Sequence, residues 1–125
     1  MRRLTMATVL MIAAASSLAA VSPSQYSNKI IGAWRCHIPR RPDRIVIFHR
    51  DGSWGVRNWD FSQPEDIRGR RWRIEGNRLI TTAPPMDGGQ TADERILSFT
   101  HTQIVTEVNG VGISYTRLKE WQPGV

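Results

Sequence analysis

The sequence predicts an all-β domain, a small eight-stranded antiparallel up-and-down barrel preceded by a signal peptide. Three observations carry this expectation. From about residue 30 to Leu118, short runs of β-branched and aromatic residues alternate with Gly, Asn and Asp turn signals. No segment keeps an apolar period of 3.6 for more than two turns, so helices do not organise the chain. Antiparallel strands with apolar inner faces also have exposed edges, and pairing the first strand with the last removes them.

The chain opens on MRRLTMATVLMIAAASSLAA: basic residues, an apolar run, then small residues. That is the layout of a secretory signal peptide, with Ser17 and Ala19 meeting the small-x-small rule for a cut after Ala19 and Ala20 as a near-equivalent. An uncleaved anchor is the alternative, since Leu4 to Val21 approaches the roughly 18 residues at which spanning begins. Its Ala, Ser and Thr content favours cleavage, with no stable membrane insertion afterwards. The organisation is then 1–19 signal peptide, 20–29 flexible lead-in (VSPSQYSN is polar), 30–120 barrel and 121–125 tail. The chain has 125 residues and one cysteine, Cys36, so a single core holds the domain with no internal disulfide. The formal charge of +6 loses two units with Arg2 and Arg3 and favours acidic partners modestly.

Strands are expected at about 30–38, 43–49, 53–61, 69–75, 78–83, 94–99, 102–108 and 111–118. In IVIFHRDGSWGV a three-residue loop with a left-handed Gly52 pairs Phe48 with Trp54 and Val46 with Val56, gathering four apolar side chains on one face. In RRWRIEGNRLITT a turn at Gly76-Asn77 puts Trp72 and Ile74 beside Leu79 and Thr81, leaving Arg71, Arg73, Glu75 and Arg78 outside. The irregular APPMDGGQTA from 83 to 92 is the longest loop. ERILSFTHTQI turns at Thr100-His101 and brings Leu97 and Phe99 inward beside Ile104. Asn109-Gly110 is the strongest hairpin signal, pairing Val108 with Val111, Thr106 with Ile113 and Ile104 with Tyr115. The interior then holds Trp34, Cys36, Phe48, Trp54, Trp72, Phe99 and Tyr115, bulk enough to fill a small barrel.

Gly32-x-Trp34 on the first strand with Arg117 on the last resembles the lipocalin and calycin superfamily. The resemblance implies that Trp34 plugs one barrel end and Arg117 packs across it; otherwise Trp34 is an ordinary core residue and Arg117 points into solvent. The runs FHRDGSW and WRIEGNRLI also resemble those of small exported bacterial lipocalin-like domains, so the resemblance covers residues 30 to 118. The longer strands, Thr-Asp turn motif and wall-packed helix of true lipocalins are not found in the sequence.

Candidate chemistry is sparse. His37, His49 and His101 have no metal-ligand spacing, there is no Gly-x-Ser-x-Gly, and Cys36 reads as a buried inert thiol. The carboxylates fall mostly in turns or on outer faces with no acid-base pair, so no enzyme, metal or cofactor is expected. IRGRRWRIEGNR resembles a nucleic-acid patch, but strand parity sends Trp72 inward and leaves Arg71 and Arg73 without a stacking platform. The discriminating feature is an outer patch, Ile45, Ile47, Arg57, Trp59 and Phe61, that either meets a partner or is covered by the 83–92 loop or the tail. The reading is a periplasmic or secreted, non-enzymatic binding module whose partner is a protein or an anionic envelope component. The alternatives are a carrier of a small apolar ligand at the barrel mouth, or a secreted protease inhibitor acting through residues 21–29.

Overall fold

A computed structural model describes residues 19–59, 64–84 and 89–119. The signal-peptide assignment for residues 1–18, Phe61 of the outer patch and the 121–125 tail lie outside the described residues. Eight strands follow one another: β1 (Gly32–His37), β2 (Arg44–Phe48), β3 (Trp54–Asn58), β4 (Arg71–Glu75), β5 (Arg78–Thr82), β6 (Thr91–Phe99), β7 (Gln103–Val108) and β8 (Val111–Arg117). All pair antiparallel in the order β3-β2-β1-β8-β7-β6-β5-β4, a meander whose first and last strands meet. The remaining gap, between β3 and β4, is bridged at Ser53↔Arg71 and Val56↔Asp66. Backbone bonds from Trp72 N to Gly52 O (2.9 Å) and Asp66 N to Val56 O (3.0 Å) tie the same seam. The result is a nearly closed eight-stranded barrel, consistent with a lipocalin-like fold. Among the described residues no helix is long and apolar enough to cross a membrane.

Turn chemistry sets the register. Gly52 (φ 90°) closes the β2–β3 hairpin with Phe48 opposite Trp54 and Val46 opposite Val56. Gly76 (φ 60°) places Ile74 opposite Leu79, and Asn109 (φ 51°) with Gly110 (φ 81°) places Thr106 opposite Ile113. The inward faces make one core in which Trp34, Cys36, Phe48, Trp54, Phe99 and Tyr115 are buried and Trp72 is partly so. Rings meet through the middle: Phe48 lies edge-on to Trp72 at 5.8 Å and tilted to Tyr115 at 6.3 Å, and Trp34 edge-on to Phe99 at 6.3 Å.

Two expectations are corrected. Leu97 does not face inward; it is 50% exposed. A bulge between Ile96 and Ser98 inserts one residue against β7, so Ile96 and Phe99 both reach the core, which strict alternation forbids. The bulge also carries Glu94 inside, and β6 starts at Thr91 rather than 94. Nor is the 20–29 segment a flexible lead-in. Ala20 bridges Thr100, Val21 N donates to Phe99 O (2.8 Å), and Pro23–Gln25 forms a 3-10 turn leading into helix α1 (Tyr26–Lys29). Proline at the first turn presets φ. The tertiary reason is Tyr26, stacked on Phe99 with centroids 4.7 Å apart, which closes this end of the barrel together with buried Ile30.

Candidate functional site

At the end closed by α1, the three residues expected to form a barrel-end motif come together. Trp34 is fully buried, its Nε1 donates to Ile30 O (2.8 Å), and the Arg117 guanidinium lies 4.1 Å over its ring. Arg117 also donates from Nε to His101 O (2.7 Å), from Nη1 to Ile31 O (3.1 Å) and from Nη2 to Lys29 O. One cation thus satisfies carbonyls of the α1 exit and of the β6–β7 turn, and burial draws its pKa below the ordinary value. Gly32 has φ 134°, and a Cβ there would lie 3.0 Å from Arg117 Nη1. Gly32→Ala is expected to cost about 1–3 kcal/mol through that backbone conformation and displacement of the guanidinium. A urea titration checks this, and an unchanged midpoint contradicts it.

The outer patch is rearranged. Ile45 and Ile47 face away from the barrel interior as expected, but they are buried at 0% and 1% exposure in a second cluster with Ala33, against which Leu118 packs. They are not available to a partner. Register explains part of the cover: Ile45 sits between Arg35 of β1 and Arg57 of β3, and the Arg35 guanidinium crosses β2 to lie 4.0 Å over the Trp59 ring. Trp59 itself is 42% exposed. Asp43 anchors this arrangement, accepting from Arg35 Nε (2.6 Å) and His37 Nδ1 (2.7 Å). These bonds, His37's first, hold the Asp43 carboxyl below its usual range. Its contribution is therefore complete above the ordinary carboxylate pKa and is lost only as pH falls through the lowered one.

Trp59 belongs to the end of the barrel opposite Trp34, where β1 and β3 finish and β2 begins. Three grooves meet there. One, of about 300 Å³, lies between Pro42, Asp43, Asn58 and Trp59. A second, also about 300 Å³, shares the first three and adds Arg41 and Arg44; a third, of about 250 Å³, shares Arg44 and Asn58 and runs past Arg57 to Arg70. The rim is therefore continuous, basic and carries one exposed indole.

Beneath the rim lies a polar cluster that strand alternation hid. Glu94, 6% exposed, accepts on Oε1 from Thr106 Oγ1 and from Tyr115 OH, each at 2.7 Å. Burial, reinforced by Glu94, pushes the Tyr115 phenol well above its ordinary pKa, so it stays a donor. Cys36 adjoins Arg44 and Tyr115, and burial raises its thiol from 9.0 to about 11. The native thiol is accordingly expected to be inert to a chromogenic disulfide reagent at pH 8 and to react fully in denaturant; rapid native labelling contradicts the burial.

The remaining sequence candidates are separated in space. His37 pairs with Asp43 and His49 Nε2 with Glu65 Oε2 (2.5 Å), while His101 contributes its backbone carbonyl to Arg117. No three His, Cys, Asp or Glu side chains gather around a metal-sized point among the described residues. In the arginine-rich segment, Trp72 Nε1 donates to His49 O (2.9 Å) while Arg73 bonds Glu75 (2.9 Å) and Arg71 Nη2 bonds Asp51 O (2.9 Å), and among the described residues neither guanidinium lies over a ring. No family model, curated protein or solved structure matches this chain.

Proposed function

We propose that the chain is an exported, non-enzymatic binding module of lipocalin-like, calycin-type fold, periplasmic or secreted, that works through the outer rim at the end opposite α1. The observation that carries this reading is the contrast between a middle crowded by Trp34, Phe48, Phe99 and Tyr115 and a rim on which Trp59 is 42% exposed beneath Arg35. Tryptophan and arginine are the residue types that concentrate binding energy at interfaces. Of the sequence-expected patch, Arg57 and Trp59 remain in the site; Arg35, Asp43 and Asn58 replace the two isoleucines. A carrier of apolar cargo is disfavoured by the ring contacts that occupy the centre and by the arginines at the mouth. A protease inhibitor would have to present residues 21–29 as an extended chain, and this segment is instead coiled into a 3-10 turn and a helix pinned by Tyr26 on Phe99.

Trp59→Ser tests the reading, because the side chain lies outside the core. Circular dichroism is expected to be unchanged, and stability to fall by no more than one exposed cation–π contact, about 0.5–1 kcal/mol. Retention of a partner from envelope extract is expected to fall about 30-fold, the loss of a central aromatic contact. Equal retention by both proteins removes the rim from consideration.

A further inference from the structure

We propose that the rim binds an anionic polysaccharide, stacking one sugar ring on the exposed surface of Trp59 and holding the neighbouring acidic group on Arg41. The inference rests on the rim being the binding surface and adds the chemistry of its ligand. Trp59 is fixed before any ligand arrives: Arg35 occupies one face at 4.0 Å and is itself held by Asp43. An indole face carries partial negative charge, which suits the polarised C–H bonds on one side of a pyranose ring. Asp43 and Asn58 line the groove beside it, so the indole is bordered by polar side chains.

The positive side comes from the β1–β2 loop. Its Ile38-Pro39-Arg40-Arg41 run is a tight turn closed by Arg41 N to Ile38 O (3.1 Å), with Arg40 at φ 68°. A proline followed by a positive φ is the type II arrangement, where glycine normally occupies the position of Arg40. An arginine held there accepts a backbone cost that packing does not explain, because both arginines are exposed. Their guanidinium groups take part in no hydrogen bond or ion pair among the described residues. Arg41 lines the groove that shares Pro42, Asp43 and Asn58 with the Trp59 groove, so cation and indole border one channel. A protein partner would favour apolar neighbours around the indole, and among the described residues of the expected patch Ile45 and Ile47 are buried. A sugar chain needs one aromatic face, polar groups around it and a charge of the right sign.

The test is calorimetric titration at low salt with three probes: tetragalacturonate (acidic rings), cellotetraose (neutral rings) and poly-L-glutamate (acid without rings). Tetragalacturonate is expected to bind at least about tenfold tighter than either of the others. Trp59→Ser and Arg41→Gln, both at exposed positions, are each expected to weaken it about tenfold or more with the fold retained by circular dichroism. If poly-L-glutamate binds as tightly and Trp59→Ser weakens it too, the saccharide assignment fails while the rim stands. If tetragalacturonate binds equally to wild type and both variants, or to none of them, the proposal is overturned. The envelope-retention experiment with Trp59→Ser then decides separately whether the rim binds anything.

Discussion

Trp34→Ala is expected to destabilise the barrel by about 3–5 kcal/mol, the largest single effect in the chain. The side chain is fully buried and edge-packed on Phe99, so truncation leaves a void that β1 and β8, already paired at Trp34↔Arg117, cannot close without moving the ladder. The loss spreads beyond the void. Ile30 O loses the indole donor, and the cation–π contact with Arg117, worth about 0.5–2 kcal/mol, disappears. Trp34→Phe keeps part of the bulk but not the hydrogen bond and is expected to fall between. Urea unfolding of the three proteins checks the order, and a loss below about 1 kcal/mol for the alanine variant would mean that Trp34 does not hold that end of the barrel.

Glu94→Ala is the second large change. It strands two buried hydroxyls, Thr106 Oγ1 and Tyr115 OH, whose partner is one carboxylate oxygen. A buried polar group without a partner costs about 1–3 kcal/mol, so the pair is expected to cost roughly 2–6 kcal/mol. Glu94→Gln retains an acceptor oxygen at the same reach and is expected to lose less than about 1.5 kcal/mol. The two substitutions separate hydrogen bonding from charge: if glutamine is as damaging as alanine, the cluster depends on ionisation and not on satisfying the two hydroxyls.

The parts of the fold legible in the sequence are those governed by local rules. Gly52, Gly76 and the Asn109-Gly110 pair fix three hairpins because left-handed backbone is cheap only for such residues, and each hairpin then fixes which side chains face in. The Gly32, Trp34 and Arg117 arrangement was legible through resemblance, since nothing local says that an arginine 83 positions on will lie over that indole. Parity failed at β6, where alternation could serve Leu97 and Phe99 or Glu94 and Ile96, and a bulge served Ile96 and Phe99 together. The adjacent pair Ile96-Leu97 two residues before Phe99 was the available sign. Because Glu94 changed sides with that bulge, the buried cluster was invisible to alternation.

Long-range contacts account for the other differences. Polar composition around residues 20–29 predicted mobility, yet one ring, Tyr26, finds Phe99 from the far side of the chain and fixes the segment. The outer isoleucines were placed correctly outside the barrel, but alternation is silent on what lies over a strand's outer face. The Asp43 anchor unites β1, the β1–β2 loop and the exit of β3 through side chains with no characteristic spacing, so no motif could have announced it.

The indole N–H resonances separate binding at the rim from binding inside more directly than any variant. Trp34, Trp54 and Trp72 donate their Nε1 protons to Ile30, Thr82 and His49 carbonyls, whereas the Trp59 side chain is exposed on the rim. In a proton–nitrogen correlation spectrum recorded with increasing tetragalacturonate, the Trp59 indole signal is expected to move with saturation while those of Trp34, Trp54 and Trp72 stay in place. Movement of the three inner signals with Trp59 unchanged would place the ligand within the barrel and contradict a function carried by its rim.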